Sequence, residues 1–297
     1  MSSRPAATPA LDRALAGVRG FILDADGVLI YRGEPIDGAP AALRTLADMG
    51  VPYRVVTNFS LTHRSTLAVR FRDTFGDDVE ASRIITAASA AAAYTATHHP
   101  GGTLMVLAAP DALREWEGQR VAPLATLESD RQQADAVVIG DAGDALSYRN
   151  MDTAFRQIQA GAEFIAMHRN PWWMTSRGLT LDAGAVVAGL EFATGRKAVI
   201  CGKPSPMVFR QAIAELRSDV VAMGGPRLTT ADVAMVGDDP KADIAAARRV
   251  GLRGILVVSG KVTHDQAVAS GVRADSIAVD FVSVVAAFRR ASGTPAG

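Results

Sequence analysis

Short apolar runs alternate with longer stretches of helical pattern along most of the chain, and this alternation constrains the fold more than any other feature. The runs cover residues 21–23, 53–56, 104–108, 136–139, 164–167, 198–200, 233–236 and 254–258. They are near-continuous rather than alternating, the pattern of strands buried on both faces. The stretches between them predict helices. One covers 40–49 and stops at Gly50, and one covers 65–75 and stops at Gly76. Another starts at Pro206 behind Ser205, one covers 239–250 before Gly251, and the alanine-rich segment 87–93 reads as a fifth. Strand–helix–strand repetition with short loops means an α/β fold around parallel sheet. At 297 residues the chain is long enough for two domains.

In open α/β sheets, chemistry gathers just beyond the carboxyl ends of the strands. The first run ends in Asp24-Ala25-Asp26-Gly27 and the second in Thr57-Asn58. The run at 198–200 leads into Gly202-Lys203-Pro204, and the run at 233–236 into Gly237-Asp238-Asp239, with Asp243 one helical turn further on. The three runs between Thr57 and residue 198 offer little of this kind. The expected organisation is therefore one catalytic core, residues 1–84 and 179–297, interrupted by an inserted α/β domain at 85–178. Two carboxylates as close as Asp24 and Asp26 repel unless a cation or a shared proton lies between them. Mg²⁺ suits such a pair, with Asp238 as a further carboxylate, because it takes hard oxygen ligands and keeps several waters. A metal-bound aspartate is able to attack phosphorus, and a second acid to protonate the leaving oxygen and then activate water. Lys203 and Thr57 would screen and orient the equatorial phosphoryl oxygens.

In their order, Asp24-Ala25-Asp26-Gly27-Val28-Leu29, Thr57-Asn58, Gly202-Lys203-Pro204 and Gly237-Asp238 with Asp243-Ile244 resemble the four motifs of the haloacid dehalogenase superfamily. The stretch from Gly178 to Ala185, then Leu190-Glu191-Phe192 and Gly202-Lys203-Pro204-Ser205-Pro206, resembles subclass IIA. Within it the chain is most similar to the branch of phospholysine/phosphohistidine inorganic pyrophosphate phosphatase-like proteins, with the NagD and 4-nitrophenyl phosphatase types further off. The resemblance implies a Rossmann-like parallel-sheet core with an inserted α/β cap of the C2 type. It implies Asp24 as nucleophile and metal ligand, and Asp26 as acid/base binding metal through its carbonyl. It implies Thr57, Asn58 and Lys203 as phosphate-binding residues, Asp238 as metal ligand, and Asp243 as an acid behind them that orients lysine or metal-bound water. Phe59 and the segment from His168 to Trp173 depart from the family pattern, so substrate identity does not carry over.

The remaining candidates have bland readings beside functional ones. His168, Trp172 and Trp173 are candidate specificity residues of the insert, against a hydrogen-bonded histidine and packing aromatics. Asp239 equally suits metal contact or the start of the helix at Pro240. The Gly140-Asp141 segment imitates a fourth motif but reads as a loop of the insert. Only four of the 31 basic residues are lysine (Lys197, Lys203, Lys241 and Lys261), so each lysine is singled out.

Thirty-one basic residues balance 31 acidic ones, which argues against a general nucleic-acid or anionic-membrane binder. No run approaches the ~20 residues of a spanning helix, and Met1 to Ala10 lacks the apolar stretch of a secretory signal. Cys201 is the single cysteine, so no disulfide framework is expected. The expectation is a cytoplasmic, Mg²⁺-dependent phosphatase acting on a small phosphorylated metabolite through an aspartyl-phosphate. By analogy the resemblance admits a homodimer. The competing readings are a dehalogenase, against which Asp26 and Asp238 argue, a phosphotransferase or mutase, and a non-enzymatic scaffold.

Overall fold

The computed structural model describes residues 9–76, 79–129, 132–175 and 178–293. The chain divides into two compact units: residues 1–57, 69–84 and 206–297 form the first, and 58–68 and 85–205 the second. Both are α/β of Rossmann-like type.

The first unit is built on a sheet in the order Ser276–Ala278, Arg253–Val257, Val233–Gly237, Gly20–Leu23, Tyr53–Thr57, Ile84–Thr86, of whose last strand only Ile84 belongs to this unit. Gly20–Leu23 lies parallel between Val233–Gly237 and Tyr53–Thr57, with Leu23 level with Val236 on one side and Val55 on the other. The chain leaves Gly20–Leu23 toward one edge and returns on its other side at Val233. The switch point of the sheet therefore falls between these two strands, where α/β folds build their sites. Phe21, Ile22 and Leu23 are fully buried, as are Val233 to Val236, which accounts for their unbroken apolar sequence. Phe288 of the C-terminal helix Phe281–Ala291 meets Phe21 edge to face, with ring centroids 5.1 Å apart. Burying side chains of this size contributes about 1.5–3 kcal/mol each.

A buried charge interrupts one of the apolar strands. Arg54 is buried on Tyr53–Thr57, and its guanidinium reaches Glu215 at 2.8 Å and Asp219 at 2.7 Å, both on the helix Pro206–Ala222. Burial disfavours this cation, but its hydrogen bonds to the two carboxylates more than compensate and raise its pKa. The pairing fixes the helix against the sheet at one rotation.

The second unit has a five-stranded parallel sheet in the order Val199–Ile200, Glu163–Ala166, Ala136–Ile139, Thr103–Leu107, Arg120–Val121. The helix Ala87–His98 starts in a capping box between Thr86 and Ser89, in keeping with the alanine-rich reading. An antiparallel hairpin, Trp172–Thr175 with Gly178–Leu181, precedes the helix Ala183–Thr194.

The boundaries differ from the expected 85–178. The strand Val199–Ile200 was assigned to the catalytic sheet, yet it pairs with Glu163–Ala166, Val199 opposite Ile165. Val187 and Leu190 of the helix Ala183–Thr194 pack into the same core as Met105, Val137 and Phe164. Residues 58–68 join this unit because Glu115, whose carboxylate is fully buried, accepts the backbone N–H of Arg64 at 2.8 Å and its guanidinium at 2.7 Å. The Asp111 carboxylate likewise accepts the His63 N–H at 2.9 Å. These partners are distant in sequence, so local pattern does not reveal them.

Truncating the Arg54 side chain leaves two carboxylates beside the sheet without their cation. Arg54→Ala is expected to cost about 2 kcal/mol, since both partners are part-exposed and recover some hydration. Arg54→Met, which keeps the packed stem, should fall between it and wild type. Urea midpoints at constant slope check this ordering, and equal midpoints for all three proteins would refute it.

Candidate active site

The carboxyl ends of the two central strands of the first unit place three acids together. Asp24 follows Leu23, and its backbone N–H donates to Val236 O at 2.9 Å, tying the end of one strand to the other. Asp238 follows Gly237. Asp243 lies on a π-helical turn, Pro240–Ala245, a local form frequent at functional sites. Carboxylate oxygens of Asp24, Asp238 and Asp243 lie within 4.8 Å of one another, and all three residues are buried.

Backbone donors fix the orientation of each acid. Asp24 Oδ1 accepts the Ala25 N–H at 2.8 Å, Asp238 Oδ2 the Lys261 N–H at 2.8 Å, and Asp243 Oδ2 the Asp239 N–H at 3.0 Å. Glycine makes the close approach possible. A Cβ on Gly27, or on Gly260, would fall 2.0 Å from Asp238 Oδ2, and one on Gly237 would fall 2.4 Å from Asp243 Oδ2. Gly27 also has φ +75°, a left-handed conformation costly to other residues. The Ser259 hydroxyl donates to Gly27 O at 2.6 Å, joining the two loops that hold Asp238. Three buried carboxylates with hard oxygen donors, and no sulfur or imidazole among them, fit a divalent cation that prefers oxygen.

The sequence candidates separate as follows. Asp24 and Asp238 belong to the cluster, and Asp243, expected behind the ligands, contributes its carboxylate to it. The Asp26 side chain is exposed and lies outside the three-carboxylate group. Thr57 is buried at the end of its strand in the same unit. Asp239 Oδ1 caps the following turn, accepting from Lys241 N at 2.9 Å and Ala242 N at 2.8 Å, while Oδ2 lies 3.4 Å from Lys261 Nζ. Burial works against its ionisation, but the Ala242 N–H and the Lys261 charge prevail and lower its pKa. Lys261 is one of the lysines that the sequence singles out without a role. It stands beyond the run at 254–258, so the strand-end rule applied to that run would have found it.

In the second unit, Asn58 and Lys203 meet through the backbone. Asn58 Oδ1 accepts the Lys203 N–H at 2.8 Å, and its amide nitrogen donates to Lys203 O at 2.9 Å. The Asn58 side chain thus clamps the Gly202-Lys203-Pro204 turn rather than extending away from it. A Cβ on Gly202 would lie 2.6 Å from Asn58 Oδ1, so the clamp needs glycine there. Lys203 is buried.

His168 is 1% exposed, an interior residue of this unit. Its Nδ1 accepts the Asn170 N–H at 3.3 Å, so in the neutral ring Nε2 carries the proton and donates to Ser60 Oγ at 3.1 Å. Asp182 Oδ1 lies 3.6 Å from the same nitrogen and also accepts the Ala183 N–H at the helix start. Burial pushes the His168 pKa down to about 4, against the charge of Asp141. Burial pushes that of Asp182 up to about 6; the Ala183 N–H opposes this and the Asp141 charge adds to it. Trp172 and Trp173 are neighbours on the hairpin strand and face opposite sides, Trp172 being 56% exposed. Cys201 is buried, and burial raises its thiol pKa to about 12, as suits a core residue.

Comparison with known proteins agrees with this site. Residues 21–121 match the family model described as haloacid dehalogenase-like hydrolase, and residues 200–284 match a second, HAD-hydrolase-like model. The phospholysine phosphohistidine inorganic pyrophosphate phosphatase of Danio rerio is 30% identical over 278 residues, covering 91% of this chain and 94% of its own. Among solved structures, the p-nitrophenyl phosphatase from Archaeoglobus fulgidus superposes with a TM-score of 0.80 at 26% identity, covering 91% of this chain and 99% of that one. NagD from E. coli K-12 gives 0.76 at 28% identity, covering 89% and 97%. The chain belongs to the haloacid dehalogenase-like hydrolases. It is an enzyme of their phosphatase class, with the NagD-like, subclass IIA architecture. No helix among the described residues is long and apolar enough to cross a membrane.

Two outcomes follow from this geometry. Gly260→Ala places a methyl group against Asp238 and the Gly27 backbone, so it should destabilise the protein by roughly 1–3 kcal/mol and weaken divalent-cation binding. Calorimetry with and without added cation reads both effects, and unchanged binding would refute the cradle.

The second outcome concerns acid. As pH falls from 6.5 toward 4, unfolded chains protonate His168 while the fold resists, so stability falls. Between 6 and 3.8 the folded state holds a proton on Asp182 that the unfolded chain lacks, so acid favours the fold. Asp182→Asn should therefore lose Tm faster than wild type between pH 7 and pH 5, and His168→Gln more slowly. Parallel Tm profiles for all three would contradict the assignment.

Proposed function

We propose that this enzyme is a Mg²⁺-dependent phosphatase that hydrolyses small phosphorylated metabolites through an aspartyl-phosphate on Asp24. The observation that carries the proposal is the meeting of Asp24, Asp238 and Asp243 at the switch point of the first unit's sheet. The names of the relatives, phosphatases of small phosphorylated compounds, support the same reaction class.

Asp24, Asp238 and Asp243 would hold the cation, with Asp26 contributing through its carbonyl as the family resemblance implies. A bound Mg²⁺ supplies positive charge that offsets both the clustered carboxylates and the incoming phosphate. The Asp24 carboxylate attacks phosphorus, forming an Asp24–phosphorus bond as the ester P–O bond breaks. Asp26, exposed to the solvent side of its turn, protonates the departing oxygen. It then takes a proton from water, which attacks the phosphoryl group, restores the Asp24 carboxylate and releases inorganic phosphate. Thr57 orients phosphoryl oxygens through its hydroxyl. The resemblance implies Lys203, whose backbone the Asn58 side chain clamps, as the residue that neutralises their charge. The substrate is met in the cytoplasm in this reading, and a homodimer remains an expectation of the resemblance.

Hydrolysis of 4-nitrophenyl phosphate tests the reading. Turnover should need added Mg²⁺ and stop with EDTA. Asp24→Asn should lower kcat by at least ~10³-fold with the fold intact by circular dichroism. Activity surviving EDTA or the Asp24 substitution would overturn the proposal.

A further inference from the structure

Lys261 has a double relation to the acid cluster. Its backbone N–H holds Asp238 Oδ2 at 2.8 Å, while its ammonium lies 4.0 Å from Asp238 Oδ1 and 3.4 Å from Asp239 Oδ2. The backbone bond belongs to any residue at this position except proline. The ammonium belongs to lysine or, with different geometry, arginine. The two contributions are therefore separable by substitution.

We infer that the Lys261 ammonium is a positioning charge that competes with the divalent cation for the field of Asp238 and Asp239, setting the affinity of the site. The inference rests on the divalent-cation reading of Asp24, Asp238 and Asp243 given above.

The charge balance of the cation-free and loaded states sets the sign of the effect. Without a cation, three buried carboxylates and the adjacent Asp239 repel one another, and a nearby ammonium relieves part of that repulsion. With a divalent cation in place the carboxylates are already compensated, and the ammonium, 4.0 Å from Asp238 Oδ1, repels the ion. The same charge thus stabilises the cation-free protein and disfavours the loaded one, and both effects weaken binding. Two cations that favour the same carboxylates oppose each other by linkage. The ammonium is 56% exposed, so water and salt screen it and the coupling is modest. The expected size is a factor of about 3 in the dissociation constant at low salt, narrowing in concentrated salt. Asp239 stands between the ammonium and the following turn, with Oδ1 fixed on Lys241 N and Ala242 N and Oδ2 turned to Lys261. Its carboxylate is not among the three of the cluster, which suits a tether that keeps the ammonium at this distance.

The experiment is titration calorimetry of the full chain with MgCl₂ alone, in wild type, Lys261→Met and Lys261→Arg, with no substrate present. Lys261→Met should bind Mg²⁺ about 3-fold more tightly. It should also gain more in Tm on Mg²⁺ addition than wild type, because its cation-free form has lost the relieving charge. Lys261→Arg should stay within about 2-fold of wild type. A residue that only props up the fold would weaken binding when altered, so tightening is the diagnostic sign. Unchanged or weaker binding in Lys261→Met, with wild-type binding intact, overturns the role of Lys261. Absence of Mg²⁺ binding in wild type overturns the divalent-cation reading and this inference with it.

Discussion

Like charges crowded out of water repel strongly, and the first unit brings three carboxylates together where little solvent reaches them. The rest of its architecture answers to that arrangement. Two adjacent parallel strands connect toward opposite edges of the sheet, which makes a switch point beyond Leu23 and Gly237. Asp24 and Asp238 stand there just past the strand ends, and a π-helical turn brings Asp243 alongside them. Backbone N–H groups orient one oxygen of each acid, and glycines at 27, 237 and 260 leave the room that any side chain would fill. A cluster of this kind holds ionised groups in the native state only with cationic compensation, which a divalent ion supplies.

The second unit solves a different problem. It gathers segments from far apart in the chain and fixes them by polar contacts within its interior. Glu115 anchors residues 63–64, Asn58 clamps the backbone of Lys203, and His168 joins Ser60, Asn170 and Asp182. These buried polar groups meet partners, since leaving one unmet costs about 1–3 kcal/mol. His168 and Asp182 also carry opposed pKa shifts, so the neutral ring and the nearby acid temper each other's response to acid.

Much of this was legible in the residues. The strands through Leu23, Val56, Ile139 and Val236 were written as unbroken apolar runs because both their faces are covered. The acids Asp24 and Asp238 stood at strand ends, where α/β folds expose side chains. One reading went astray for a physical reason. The run at 198–200 has the apolar character of a buried strand, but sequence does not say which sheet it joins, and it pairs with Glu163–Ala166 of the second unit. The resemblance implied Asp243 as an acid behind the ligands, and the structure brings its carboxylate into the group with Asp24 and Asp238 from a π-helical turn.

The sequence by itself determined the α/β class, the order of the four motifs and the identity of the acids, because each follows from local apolar pattern or from chemistry at a strand end. Tertiary structure alone decided that Val199–Ile200 and residues 58–68 belong with the second unit, that Asn58 holds Lys203 by its backbone, and that Lys261 faces Asp238 and Asp239. Those outcomes depend on pairings between residues remote in the chain. Local pattern is blind to such pairings, since the free energy that selects them is released only when the separate segments pack together.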